Sequence, residues 1–162
     1  MLWIRGLLFT LLMPCLGGGL APYLLSGSRP LQPGWWRIGW VPLSLGGAVY
    51  LSCLLNFLAA KGTPAPFFMR RMHSIIGEEP GSLVCAGLYK FTRNPMYVGV
   101  LLVIFGQALL FASAAIALYG LAAWLFFHLV VVRVEEPHLR AKQGAGYDDY
   151  CRRVPRWLGL PK

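Results

Sequence analysis

Four apolar stretches leave this chain few folds to choose from. They run over residues 6–25, 38–60, 96–111 and 114–134. About 20 helical residues rise roughly 30 Å, the thickness of a bilayer's hydrocarbon core. Backbone amides in hydrocarbon must pair within their own segment, which dictates helices. The last two stretches are separated only by a few small residues, and no lipid-exposed loop survives at that depth. Ala112–Ser113 is therefore expected to be a tight turn at the far surface, closing an antiparallel hairpin. The expected fold is an all-α integral membrane protein of four spans, with a short cytosolic C-terminal helix.

Composition agrees. The 162 residues are 57% hydrophobic and only 13% charged, about half the charge of a soluble domain, and the mean hydropathy is +0.57. The formal net charge of +9 does not argue for a nucleic-acid partner, which would need a soluble basic face. Here the cations flank apolar runs, as at the inner side of a membrane. With four spans, Arg5, the 61–94 loop and the tail, together with Arg133 just before it, share one side and hold 13 of the 15 lysines and arginines. Only Arg29 and Arg37 lie opposite, and all six acids join the majority. Both termini are then expected in the cytoplasm, with the protein in a bacterial inner membrane. The chain divides into two N-terminal spans (1–60), a cytosolic or interfacial loop (61–94), a hairpin (95–134) and a tail (135–162), all one membrane domain. The first stretch is read as a retained helix and not a cleaved signal, because it runs on to Leu25.

The polar residues are concentrated at the hairpin's cytosolic end. In "KFTRNPMYVG" (90–99), Pro95 suits a first helical turn, where its missing N–H costs nothing. The free amides and positive dipole end then face the cytosol. Arg93 adds a planar fork able to grip a carboxylate twice. Anchoring at lipid headgroups would account for Arg93 and Lys90 equally well. Glu135 and Glu136, however, close the fourth stretch where acids oppose the helix dipole. The hairpin should bring them beside Arg93, Asn94 and Tyr97, either as a ligand site or as a structural ion pair.

Other polar residues read more plainly. Cys15, Cys53, Cys85 and Cys151 show neither disulfide nor zinc spacing, so no metal site is expected. His128 is expected to be satisfied by a neighbouring helix, and Asn56 and Gln107 to hydrogen-bond between helices. Gly17–Gly19 and Gly46-Gly47 read as close-packing positions. Arg70-Arg71 reads as a headgroup anchor, and His73 and His138 lack partners at metal spacing.

"GLYKFTRNPMYVG" (87–99), "EEPHL" (135–139) and "GYDDYCRRVPRW" (146–157), in this order, resemble the isoprenylcysteine carboxyl methyltransferase and phospholipid methyltransferase superfamily. "GTPAPF" (62–67) is similar to a stretch in bacterial members. The resemblance covers residues 61–157, about three-fifths of the chain. Two departures are Gln143-Gly144, where many relatives carry Phe-Gly, and an unfamiliar stretch at 68–86. The resemblance implies S-adenosylmethionine as cofactor. Its pocket would comprise Tyr89, Arg93, Asn94, Pro95, Tyr97 and Gly99, closed by Glu135 and Glu136 and by Tyr147, Tyr150 and Arg156 of the tail. Arg93, Glu135 and Glu136 would be the catalytic set. The implied reaction is methyl transfer to a lipophilic or lipidated acceptor entering from the membrane lipids. The favoured acceptor is an isoprenylcysteine-type carboxylate and the alternative a phospholipid amine. Membrane sterol reductases share a similar Arg-[His/Asn]-Pro and tail pattern, so an NADPH-dependent reductase remains a further alternative, as does a non-catalytic membrane scaffold.

Overall fold

The computed structural model describes residues 2–27, 30–31, 33–64 and 80–159. Arg29, Arg70, Arg71, His73, the Glu78-Glu79 pair and part of the 62–67 motif lie outside the described residues. Among the described residues every regular element is helical. Three helices of the described residues are long and apolar enough to cross a membrane: α1 (Trp3–Leu25), α2 (Gly34–Ala59) and α4 (Ala114–Gln143). The third expected span, α3 (Pro95–Leu110), is a shorter apolar helix of 16 residues. A short helix, α5 (Ala145–Arg153), follows α4.

The helices begin and end where local chemistry directs. Pro95 occupies the first turn of α3. At the hairpin tip Ala112 takes a φ of 44°, and Phe111, Ala112 and Ser113 donate back to the Gln107, Leu109 and Ala108 carbonyls. The Ser113 hydroxyl accepts from the Ile116 amide and caps α4, a usual role for serine. The tight turn at 112–113 is thus present.

The fourth stretch does not stop at Val134. Helix α4 continues to Gln143, 30 residues in all, or about 45 Å. Its last turns therefore project beyond an apolar core of about 30 Å. Over Val131–Glu135 it widens, and the Glu136 amide donates to the Val131 carbonyl five residues back. Pro137 supplies the cause, since its ring crowds the carbonyl four residues earlier and it has no N–H to give. Pro14 sits inside a similar widened stretch of α1, Leu11–Leu20. The chain then reverses at Gly144, whose φ of 55° and ψ of −134° suit glycine alone.

Helices α2 and α3 pack antiparallel through two glycine crossings. A methyl group on Gly46 would lie 2.5 Å from the Gly99 carbonyl oxygen, and one on Gly39 2.6 Å from that of Gly106. Small residues let backbones approach this closely, the usual device where lipid removes any hydrophobic drive between helices. Tyr50, Leu54 and Leu58 pack with Met96 and Val100 beside the crossing, and Ile104, Ala108 and Ile116 join the hairpin's two arms. Large apolar side chains on α4, including Leu118, Leu121, Leu125 and Phe126, face outward. Such a surface belongs in a membrane.

Three packing expectations change. Gly19 and Gly47 face open space; of the Gly46-Gly47 pair only Gly46 packs. The buried Asn56 Nδ2 has no hydrogen-bond partner among the described residues and lies 2.6 Å from where a methyl on Gly87 would sit. His128 is met by the tail and not by a helix: Trp157 Nε1 donates to its Nδ1 at 3.2 Å. Gln107 does bond between helices, donating to the Gly18 carbonyl at 2.6 Å.

Candidate functional site

The three sequence motifs converge at one end of the hairpin. The segment 92–94 serves as a clasp for the tail. The Arg93 amide donates to the Pro155 carbonyl at 2.9 Å. Thr92 Oγ1 and Asn94 Nδ2 donate to the Arg156 carbonyl at 3.3 and 2.8 Å. The tail's inner face, Tyr147, Tyr150 and Val154, packs on Leu83 and Leu139, and Tyr150 Oη donates to the Tyr89 carbonyl at 2.7 Å.

The two glutamates take different partners. Glu136 is only 8% exposed and lies between two guanidiniums. Arg93 Nη1 donates to its Oε1 at 3.0 Å, while Arg156 grips it twice, Nε to Oε1 at 2.6 Å and Nη2 to Oε2 at 3.0 Å. Bidentate charge-assisted pairs of this kind are strong and directional. Glu135 instead accepts from the Tyr97 hydroxyl, and the Tyr97 ring stacks on Phe127 with centroids 4.6 Å apart. Consecutive residues on a helix point about 100° apart, so the adjacent glutamates meet separate neighbours; widened turns such as the one before Pro137 recur at functional sites.

Between these groups lies a recess of about 340 Å³, within the usual range for small-ligand sites. Its polar end is formed by Tyr89, Arg93, Asn94, Tyr97, Glu135, Glu136, Tyr147 and Tyr150. Burial pushes the Tyr89, Tyr147 and Tyr150 phenols above their ordinary value, so they remain neutral hydrogen-bonding groups. Arg93 Nε is buried with no partner among the described residues, an unsatisfied donor whose burial is costly. The other end is apolar, with Phe9 from α1, Phe57 from α2, Met96 from α3 and Phe126 and Phe127 from α4. Phe126 is 61% exposed on the outer flank. The recess is therefore amphipathic, polar toward the tail and oily toward the bilayer side. A ligand carrying both charged and ring groups fits this donor set.

Three of the expected pocket residues stand outside the lining. Gly99 faces α2, where it allows the Gly46 crossing. Pro95 is buried in the first turn of α3 and serves the helix start. Arg156 sits behind the wall and acts on Glu136. The apolar wall was not legible, because its phenylalanines come from three helices far apart in sequence. Cys151 was missed as well: Arg93 Nη1 donates to its Sγ at 2.8 Å. Gln143, at the position of the departure from Phe-Gly, lines the recess edge. Among the described residues no three of His, Cys, Asp and Glu lie together.

Comparison with known proteins follows this geometry. The protein-S-isoprenylcysteine O-methyltransferase of Schizosaccharomyces pombe is 32% identical over 79 residues, 48% of this chain and 33% of that protein. The nickel-cobalt-cadmium resistance protein NccN of Alcaligenes xylosoxydans xylosoxydans is 32% identical over 84 residues, 52% of this chain and 39% of that protein. The chain thus spans between a third and two-fifths of the length of these curated relatives. No solved structure matches it significantly. The phospholipid methyltransferase family model matches residues 38–145, from the start of α2 through the hairpin to the turn before α5, and the chain belongs to that family.

Proposed function

We propose that the chain transfers a methyl group from S-adenosylmethionine to a lipophilic acceptor within the membrane. The observation that carries this reading is the recess itself, where a guanidinium, two carboxylates and buried phenols from the hairpin and tail meet an apolar wall. When bound, the cofactor would supply an electrophilic methyl on a sulfonium. Arg93, with its spare buried Nε, would hold a carboxylate; Glu135 would take an amine or hydroxyl; and the tyrosines would lie against the nucleoside. The chain's contribution to rate would be positioning and exclusion of water, the main levers for an in-line displacement. Glu136 would keep Arg93 and the tail in place.

The favoured acceptor is a carboxylate of the isoprenylcysteine type. Glu136 is committed to two arginines and Glu135 accepts from Tyr97. An acceptor already anionic needs no proton removed, whereas an ammonium headgroup does. In this reading α3 also spans the membrane, the third of four spans in chain order. It runs antiparallel to α2 and to α4, so its ends lie at opposite faces, and both termini and the recess's polar end face the cytoplasm as the positive-inside rule requires. The hairpin and tail are then the catalytic part of one membrane domain.

Calorimetry with S-adenosylhomocysteine on purified protein tests the class; binding that is lost in Arg93→Ala is expected. No binding, or an Arg93→Ala variant indistinguishable from wild type, would defeat it. Transfer of labelled methyl to prenylated thiols carrying a free carboxylate, but not to phosphatidylethanolamine, tests the acceptor.

A further inference from the structure

Residues 80–84 form a non-helical strap that closes the recess beside the tail: Pro80, Ser82, Leu83 and Val84 all line it. Both ends of the strap are seated. Pro80 is buried against Gly62, where an added methyl would lie 2.5 Å from the proline nitrogen. Leu83 packs on the Tyr147, Tyr150 and Val154 cluster. Between these seats, Gly81 and Ser82 are exposed.

The strap is tied by consecutive donors onto consecutive carbonyls. Lys142 Nζ donates to the Pro80 carbonyl at 3.1 Å and Gln143 Nε2 to the Gly81 carbonyl at 3.3 Å. Both donors stand in the last turn of α4, just before the reversal at Gly144. Neither belongs to a hydrophobic cluster, and a last-turn Lys-Gln pair would ordinarily point into water. Here the two side chains cross the recess's edge to hold backbone that lies outside any helix. We infer that Lys142 and Gln143 are positioning residues: they latch the 80–84 strap over the polar end of the recess and set how long a bound nucleoside ligand stays. This rests on the reading that the recess holds S-adenosylmethionine. An apolar acceptor has the membrane flank; in this inference a water-soluble cofactor passes the strap, whose Gln143 tie is exposed and whose Lys142 tie is part-buried.

The test uses the full chain in detergent or nanodiscs. Lys142→Met and Gln143→Met, singly and together, remove the donors while keeping the stems; Lys142→Arg keeps a donor. Each tie is worth roughly two- to tenfold in the opening equilibrium. In the double variant, chymotryptic cleavage after Leu83, which packs against the tail cluster, should be about tenfold faster. Labelled S-adenosylhomocysteine should dissociate about tenfold faster. The KM for S-adenosylmethionine should rise by a similar factor with kcat changed far less, and Lys142→Arg should behave as wild type. Unchanged strap cleavage overturns the latch. Faster cleavage with unchanged dissociation overturns its role in residence. A wild-type protein that fails to bind S-adenosylhomocysteine defeats the cofactor reading itself, and this inference with it.

Discussion

Neutralising Glu136 should release the tail. In Glu136→Gln the shape is kept, but a carboxylate that receives three hydrogen bonds from two guanidiniums becomes an amide. The side chains concerned are 8% exposed for Glu136, 12% for Arg93 and 34% for Arg156. Two cations then face one another without their shared anion. Removing one partner of a buried ion pair costs about 3–5 kcal/mol. Arg156 is a third exposed and recovers some hydration, which places the expected loss near the lower end, about 3 kcal/mol. At about 1.4 kcal/mol per tenfold, the population with an undocked tail rises about two orders of magnitude. The undocked tail presents Arg152 and Arg153 to trypsin, and nicking follows the open population when opening and closing are fast. The nicking rate should therefore rise about a hundredfold. Glu135→Gln, whose carboxylate meets Tyr97 and not the tail, should stay within about threefold of wild type. Equal nicking in the two variants, or a Glu136→Gln rate equal to wild type, would refute the assignment of Glu136 as the tail's pin.

Three further outcomes are expected. Gly46→Ala places a methyl 2.5 Å from the Gly99 carbonyl oxygen and 2.8 Å from the Val103 nitrogen; overpacking against backbone should cost about 1–3 kcal/mol, read as a melting temperature lowered by several degrees, whereas Gly47→Ala, in open space, should not lower it. Trp157→Phe removes the donor to His128 and should raise tail nicking by less than about tenfold, with folding unchanged by circular dichroism. Tyr89, Tyr147 and Tyr150 have phenols raised by burial above their ordinary value of 10.0. The buried form is the protonated one, so their contribution to stability is fully present below pH 10.0 and is lost as pH rises through the folded values. The melting temperature should be insensitive to these groups from pH 7 to 9 and fall above about pH 10, and substituting phenylalanine at all three should flatten that fall.

Much of the site could be read from the chain because it is written in contiguous motifs. Arg93-Asn94-Pro95 marked a helix start, Glu135-Glu136 a polar helix end out of keeping with anchoring, and the short 112–113 turn forced the two to meet. Not every motif residue lines the recess. Gly99 serves a helix crossing and Pro95 a helix start, needs as local and as strict as binding. The helix running on past Val134 was hidden because charged residues there resemble a tail, although Pro137 and a wider turn allow the helix to pass.

From its pattern alone the chain determined that it is helical, that it carries spans of bilayer length, and that its polar groups gather at the hairpin's base. Hydrophobic period, segment length and proline placement are local properties, and water and lipid act on them directly. Which glutamate holds the arginines, which phenylalanines face the recess and which residues tie the strap were decided only in the folded molecule. Those partners depend on how each helix is rotated about its axis. That rotation is set by the glycine crossings and the widened turn of α4, where several distant segments must fit at once.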